Sequence, residues 1–240
     1  MDKAPKYLAA FDFDHTIVND NSDIVARDLI PKSFTIPDDV KQLYSTEHGW
    51  TQYMAEIFKI LHESNVSKNE IIAAITAINE VTGIIELIRN LVEMNFEIII
   101  ISDSNMEFIR CWCEANGITK LIEKVYTNPA NFTEHGLLTI QPFHKQTTCS
   151  MSQMNLCKGQ VLDEHIARKA ADGIKFDKVF YMGDGRNDYC PITRLRTEDF
   201  GCARVGFKLA QLLAESAVVK AETLLWENGN DLLKQIKEKI

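Results

Sequence analysis

The sequence predicts an α/β fold, a Rossmann-like three-layer core around a parallel sheet with a small helical cap inserted into it. Three observations carry that expectation. Apolar runs of strand length, Ala9-Ala10-Phe11, Ile98-Ile99-Ile100-Ile101 and Val179-Phe180-Tyr181-Met182, are separated by helical segments, and strands alternating with helices favour a parallel sheet with right-handed crossovers. Each run ends in residues rich in hydrogen-bond acceptors: Asp12-Phe13-Asp14, Ser102-Asp103-Ser104-Asn105, and Gly183-Asp184-Gly185-Arg186-Asn187-Asp188. Between the first run and the second, from about Asn19 to Gly83, the strand rhythm gives way to helical periodicity. The expected boundaries are residues 1–19 and 84–240 for the core and 20–83 for the cap.

Taken in order, the first strand closes on Asp12 and Asp14, whose i and i+2 positions put both carboxylates on one side of the strand, roughly 7 Å apart. Open α/β sheets place ligands at the carboxyl ends of their strands, where such a pair can hold a cation and exchange protons. In the cap, Trp50, Tyr53, Met54, Ile57, Phe58 and Leu61 fall at helical spacing, and this face reads as core and not as a ligand site. A second cap helix runs from about Lys68 to Ile78, with Ser67 as N-cap, Glu70 at its third position, and Ile71, Ile72, Ile75 and Ile78 as its apolar face. The core resumes with an amphipathic helix from Ile84 to Glu93, the strand Ile98 to Ile101, and a helix through Met106 to Glu114. Thr133-Glu134-His135-Gly136 predicts the tip of a hairpin with arms Val125-Tyr126-Thr127 and Leu137-Leu138-Thr139-Ile140. A helix after Lys158, through Val161, Leu162, His165 and Ile166, leads to the strand Val179 to Met182 and the Gly183-Asp184-Gly185 turn.

The 240 residues, 45% hydrophobic, suffice for a sizeable buried core, and 26 basic against 34 acidic residues give a net charge of −8. Without a Lys/Arg stripe a nucleic-acid surface is not expected, and small molecules are the expected ligands. No stretch approaches the ~20 apolar residues of a membrane span, and Met1 to Lys6 carries no signal-peptide pattern. The expectation is a soluble cytoplasmic protein, its oligomeric state left open. The six cysteines, Cys111, Cys113, Cys149, Cys157, Cys190 and Cys202, include no Cys-x-x-Cys pair and read as core or surface thiols. His144, Cys149 and Cys157 make a partial metal cluster without an obvious fourth ligand for tetrahedral zinc.

An anion such as a phosphate ester at the converging strand ends would be repelled by carboxylates alone, so it requires a divalent cation and a basic side chain. Asp12 and Asp184, with Asp188 as a further candidate, offer hard oxygen ligands suited to Mg2+. Asp12 can then attack phosphorus as a covalent nucleophile. Asp14 would protonate the leaving oxygen and afterwards deprotonate the hydrolytic water. Ser102 would donate to a phosphoryl oxygen, and Lys158, with Lys145 as a rival, would offset the charge that builds up in the transition state.

Asp12-Phe13-Asp14-His15-Thr16, strand-end Ser102, Lys158 ahead of a helix and Gly183-Asp184-Gly185-Arg186-Asn187-Asp188 together resemble the four ordered motifs of the haloacid dehalogenase superfamily of phosphatases. The resemblance implies Asp12 as nucleophile, Asp14 as general acid and base that also lends its backbone carbonyl to Mg2+, and Asp184 as a metal ligand. Asp188 would be a ligand or a partner of one. Asn21-Ser22-Asp23, Asp103 within its strand-end run, Thr127-Asn128-Pro129, Asn155-Leu156-Cys157-Lys158 and Cys190-Pro191 narrow it. They resemble the family of phosphoethanolamine/phosphocholine phosphatase and pyridoxal-phosphate phosphatase, over nearly the whole chain. That likeness implies that Asp23 and Asp103 bind the cationic group of the substrate, with pyridoxal 5′-phosphate expected first and phosphoethanolamine or phosphocholine second. Two positions depart from the pattern: Ser152 stands where that family has a cysteine, which weakens the metal-cluster reading, and Thr82-Gly83 stands where it has Pro-Gly at the cap's exit.

Two other classes make different demands. A dehalogenase needs no proton donor for a halide, so Asp14 argues against it. A catalytically silent phosphate-binding protein would tolerate loss of a motif, and every motif is present.

Overall fold

A computed structural model describes residues 6–44 and 49–240; the amino-terminal stretch before Lys6, and the signal-peptide reading attached to it, lie outside them. The chain runs β1 (Tyr7–Phe11), α1 (Ser22–Arg27), α2 (Asp38–Tyr44), α3 (Trp50–Glu63), α4 (Lys68–Thr76), α5 (Ile84–Glu93), β2 (Phe96–Asn105), α6 (Met106–Ala115), β3 (Lys124–Asn128), β4 (Ala130–Phe132) and β5 (Leu138–Ile140). It continues through α7 (Lys158–Ala171), β6 (Lys178–Gly183), α8 (Tyr189–Thr193), β7 (Phe200–Arg204), α9 (Lys208–Ala214), β8 (Glu222–Trp226) and α10 (Gly229–Lys237).

Six strands form one parallel sheet in the order β3-β2-β1-β6-β7-β8. Period-two alternation divides its side chains between two cores. Ala9, Phe11, Ile98, Ile100, Phe180 and Met182 face α5, α6, α10 and the helices inserted after β1. Leu8, Ala10, Ile99, Ile101, Val179 and Tyr181 face α7 and α9. Strands buried on both faces must be continuously apolar, which is why Ile98-Ile99-Ile100-Ile101 carries no polar break. The α/β class and the three layers match the expectation from sequence. No helix among the described residues is long and apolar enough to cross a membrane.

The chain leaves β1, which lies at the centre of the sheet, and builds outward through β2 and β3, then returns to β1's other side for β6, β7 and β8. That reversal of strand order opens a crevice at the carboxyl ends of β1, β2 and β6, where such sheets bind ligands.

α1 to α4 occupy the chain between β1 and α5. Tyr53, Met54, Ile57, Phe58 and Leu61 of α3 are buried, and Ser67 and Glu70 close a reciprocal capping box on α4. α4 ends at Thr76, two residues before the expected Ile78, because Ala77 already serves as its C-cap. The exit from this insertion is held by close backbone contact: Gly83 is left-handed at φ 78° and Gly229 N donates to Thr82 O at 2.8 Å.

The expected hairpin has a different first arm. Tyr126 pairs with Ile101 in the main sheet, because the apolar Val125-Tyr126-Thr127 run gains more by burial there, and Pro129 separates it from β4. The hairpin is instead β4 with β5, Ala130 opposite Ile140. Its tip is at Thr133 to Gly136 as expected, closed by Thr133 N to Leu137 O at 2.8 Å.

A Cβ at Gly229 would lie 2.2 Å from Gly83 O, whereas one at Gly173, φ 80°, would meet nothing within 4 Å. Gly229→Ala is therefore expected to cost ~1–3 kcal/mol or more through overpacking, and Gly173→Ala about 1–2 kcal/mol through backbone strain alone. Urea denaturation of both variants tests that order; equal midpoints would contradict the close approach.

Candidate active site

The site starts where β1 ends. Asp12 N donates to Met182 O at 2.9 Å, which extends the β1–β6 ladder by one residue and fixes where the Asp12 side chain leaves the sheet. Its Oδ1 accepts from Phe13 N at 2.7 Å and its Oδ2 lies 2.6 Å from Lys158 Nζ. The chain then turns sharply: Ile17 N and Val18 N both reach Phe13 O, at 2.8 and 3.0 Å, and His15 takes a left-handed φ of 53°. Arg204 Nη1 braces the turn by donating to His15 O at 2.6 Å. Asp14 Oδ1 accepts from Ser22 N at 2.9 Å, so this carboxylate also anchors the first turn of α1.

Lys158 opens α7 and is wholly buried. Its ammonium bridges Asp12 and Asp188, the latter at 2.8 Å. Asp188 Oδ1 also accepts from Tyr181 Oη at 2.9 Å, while its Oδ2 takes Asp184 N and Gly185 N at 3.1 and 3.0 Å. A Cβ on Gly183 would stand 2.4 Å from Asp188 Cγ, so glycine there lets the loop fold over its own carboxylate. Lys145, the rival lysine, is exposed and lines a different cavity beside His144 and Met154.

Asp12, Asp14, Asp23, Asp103 and Asp184 line one cavity of about 140 Å³ with His15, Asn21, Trp50, Ser102 and Asn187. Burial, then the Asp188 charge, pushes the Asp12 carboxyl up to about 7 against the pull of Lys158. Burial, then Asp188 and Asp12, pushes Asp184 up to about 8. Asp14 is raised well above the usual carboxylate range by burial and by Asp23. Burial works against the Lys158 charge, yet Asp12, Asp188 and Asp103 outweigh it and hold the ammonium protonated. One oxygen each from Asp12, Asp184 and Asp188 lie within 4.8 Å of one another. With one ammonium, Lys158, against these three carboxylates, the cluster offers hard oxygen donors of the kind that suit a divalent cation such as Mg2+.

The remaining expected residues lie around the same cavity. Ser102 is buried and its Oγ accepts from Ser104 N at 3.2 Å. Asp103 accepts from Asn155 Nδ2 at 2.9 Å and from Asn187 Nδ2 at 2.6 Å, one on each oxygen. Asp23 Oδ2 accepts from Trp50 Nε1 at 2.8 Å, and its buried Oδ1 has no hydrogen-bond partner among the described residues. Burial pushes Asp23 up to about 7, with Trp50 opposing, Asp103 adding to the rise and the Asn105 side chain nearby opposing it more weakly.

Trp50 corrects the sequence reading, which placed the α3 aromatics in the core. Tyr53 and Phe58 are buried there, but Trp50 is half-buried and lines the cavity. It begins α3, where its ring packs 5.6 Å from that of Tyr53 while its Nε1 reaches Asp23. Asn155 and Asn187 were legible only as neighbours of Lys158 and Asp184; nothing in their spacing pointed to Asp103.

Comparison with known proteins places the chain among phosphatases. The Putative Phosphatase family model matches residues 7–240. The chain is 34% identical to the Mus musculus pyridoxal phosphate phosphatase PHOSPHO2 over 239 residues, covering 97% of this chain and 98% of that protein. It is 32% identical to the Homo sapiens phosphoethanolamine/phosphocholine phosphatase, covering 98% and 90%. Among solved structures, a phospho-aspartyl intermediate analogue of phosphoserine phosphatase superposes with a TM-score of 0.62 at 19% identity, covering 98% of this chain and 99% of that one.

Lys158→Met would leave Asp12 and Asp188 buried together with no counter-charge, an expected loss of ~3–5 kcal/mol at pH 8, readable by urea denaturation; an unchanged midpoint would contradict the ion pair. In the folded protein Asp12 and Asp184 keep their protons up to about 7 and 8, against an ordinary value of 3.8. The folded state therefore binds more protons than the unfolded one across this range, and stability falls as pH rises. With EDTA present, the denaturation midpoint is expected to drop between pH 6 and pH 9, and excess Mg2+ to flatten or reverse that trend.

Proposed function

The chain belongs to the Putative Phosphatase family, and we propose that it is a phosphatase of the haloacid dehalogenase type, which hydrolyses a small phosphate monoester with Mg2+ through an aspartyl-phosphate intermediate. The observation that carries this reading is the convergence of Asp12, Asp14, Ser102 and Asp184 on one small cavity, with Lys158 bonded to the back of Asp12. Residues 20–83, in this reading, form a cap over that cavity.

Asp12 attacks phosphorus, the phosphorus–oxygen bond to the leaving group breaks, and Asp14 supplies the proton that the leaving oxygen takes. Burial, then the Asp23 charge, raises its pKa and so favours the protonated form that this donor role needs. Asp14 then takes a proton from the water that cleaves the aspartyl-phosphate and releases phosphate. Ser102 donates to a phosphoryl oxygen as charge develops there, and Lys158, bonded to Asp12 Oδ2 from behind, offsets that charge through the nucleophile. Mg2+, held by Asp12, Asp184 and the main-chain carbonyl of Asp14, would offset the negative charge shared by the carboxylates and the phosphoryl group. Asp188 uses its acceptors on Lys158, Tyr181 and the Asp184 loop, which favours a role in holding the lysine and the loop over direct ligation.

Pyridoxal 5′-phosphate is the first substrate proposed, on the name carried by the PHOSPHO2 relatives. Phosphoethanolamine or phosphocholine is the second. It is favoured by one observation: Asp23 Oδ1 is a buried acceptor without a partner among the described residues, a position that suits a cationic group at the far end of a short phosphomonoester.

Asp12→Asn is expected to lower kcat about ten-thousandfold or more with the fold intact by circular dichroism; retained turnover would end the covalent mechanism. Asp14→Asn is expected to hurt an alkyl phosphate more than p-nitrophenyl phosphate, whose leaving group needs no proton. Measuring kcat/KM for pyridoxal 5′-phosphate, phosphoethanolamine, phosphocholine and p-nitrophenyl phosphate separates the substrates. A preference of about a hundredfold corresponds to ~2.7 kcal/mol of selective transition-state binding. If the second reading holds, Asp23→Asn raises KM for the amine substrates and leaves p-nitrophenyl phosphate nearly unchanged.

A further inference from the structure

The structure gathers three thiols that the phosphatase chemistry does not use. Cys149 lies in the long irregular segment between β5 and α7, Cys157 is the N-cap of α7, and Cys190 lies in α8. Cys149 Sγ is 3.5 Å from Cys190 Sγ, and Cys157 Sγ is 3.8 Å from Cys190 Sγ. All three sulfurs lie within 4.8 Å of one another. Ser152 Oγ stands 3.5 Å from Cys149 Sγ, adding an oxygen to the cluster.

We propose that Cys149, Cys157 and Cys190 form a zinc site, with the Ser152 hydroxyl or a water in the fourth position. Tetrahedral zinc with Zn–S bonds of ~2.3 Å sets its sulfurs about 3.75 Å apart, and two of the three spacings already lie within about 0.3 Å of that value. Two features hold the sulfurs together. Gly159 is the residue of α7 over which Cys190 packs: a Cβ there would lie 2.7 Å from its Sγ and 2.6 Å from Arg194 Nε. Gln146 organises the irregular segment, its Nε2 donating to the Cys149, Ser152 and Gln153 carbonyls and its Oε1 accepting from Thr148 N and Cys149 N. An ordered segment of this length without secondary structure is uncommon unless something fastens it.

The charge balance also suits a dication. Three thiolates around Zn2+ leave one negative charge. Arg194 Nη2, 3.7 Å from Cys157 Sγ, and Gln160 N, donating to that same sulfur at 3.4 Å, face it.

The ligand set differs from the sequence expectation of His144 with Cys149 and Cys157. His144 Nε2 accepts from Cys157 N at 2.8 Å, which spends its lone pair on the backbone. Cys190, remote in sequence, takes its place. Cys157 precedes Lys158 directly and Cys190 follows Asp188 by two residues, so zinc here would clamp both ends of the buried ion pair from behind.

The test uses the full chain without an affinity tag, expressed with added zinc and purified under reducing conditions without chelator. About one zinc per chain is expected by elemental analysis, and Cys190→Ser and the less buried Cys149→Ser should each lose it, while Cys111→Ser and Asp12→Asn retain it. Cobalt exchanged into the wild type should give a thiolate-to-cobalt charge-transfer band and intense four-coordinate d–d absorption, both absent from Cys149→Ser. Retention by Asp12→Asn separates this site from the carboxylate site, so the phosphatase reading can fail without it. The proposal is overturned by wild-type protein with less than about a tenth of an equivalent of zinc and no cobalt bands. It is equally overturned if the cysteine variants keep the metal, or if mass spectrometry of unreduced protein finds a Cys149–Cys190 disulfide in place of metal.

Discussion

A single ammonium buried between two carboxylates sets the terms for everything around it. Lys158 is inaccessible to solvent and touches both Asp12 and Asp188. Desolvating three charges costs several kcal/mol per ion unless geometry and further hydrogen bonds offset it. The offsets are visible: Asp188 gathers Tyr181 Oη and two backbone N–H groups, and Asp12 gathers Phe13 N. The ion pair thereby ties the end of β1, the start of α7 and the loop after β6 into one rigid unit. Burial first, and the neighbouring carboxylates second, still raise the Asp12, Asp14 and Asp184 carboxyls. In the function proposed for this site, a divalent cation would supply the missing positive charge beside the phosphate.

The sheet makes the cluster possible. With β1 between β2 and β6, the three polar strand ends meet although they lie far apart in sequence. The same topology brings Cys157 and Cys190 together behind the ion pair, since α7 and α8 bracket β6. The helices inserted after β1 complete the cavity from the other side, through Asp23 and Trp50. The insertion is fastened at Asp14 by Ser22 N, where Ser22 Oγ also meets Ser104 Oγ at 2.8 Å, and at its exit by Gly229 against Thr82 and Gly83. Lys68 of α4, 5.0 Å over the Phe132 ring, adds a contact to the β4–β5 hairpin.

The sequence was most legible where local physics decides. α5 spans Ile84–Glu93 as its periodicity predicts, and Ser67 with Glu70 caps α4. It misled where pairing decides: Val125-Tyr126-Thr127 carries strand character without saying which strand it joins, and burial beside β2 wins over a hairpin. Trp50 fits the apolar stripe of α3, and only the position of α3 over the cavity turns its ring toward Asp23. β7, β8 and α9 between them went unread because runs as short as Phe200-Gly201-Cys202-Ala203 lack a distinctive period.

By itself the sequence determined the α/β class, the chemistry of the strand ends and the identity of the acidic residues, because alternating apolar runs and short acceptor-rich motifs are local signals. Only the tertiary structure decided which acceptors Lys158 satisfies, that Asp103 is spent on Asn155 and Asn187 while Asp23 keeps an oxygen free, and that Cys190 replaces His144 beside Cys149 and Cys157. These are contacts between residues distant in the chain. Hydrogen bonding and charge pairing act over a few ångströms of space, and spacing along a sequence does not fix that distance until the sheet has folded.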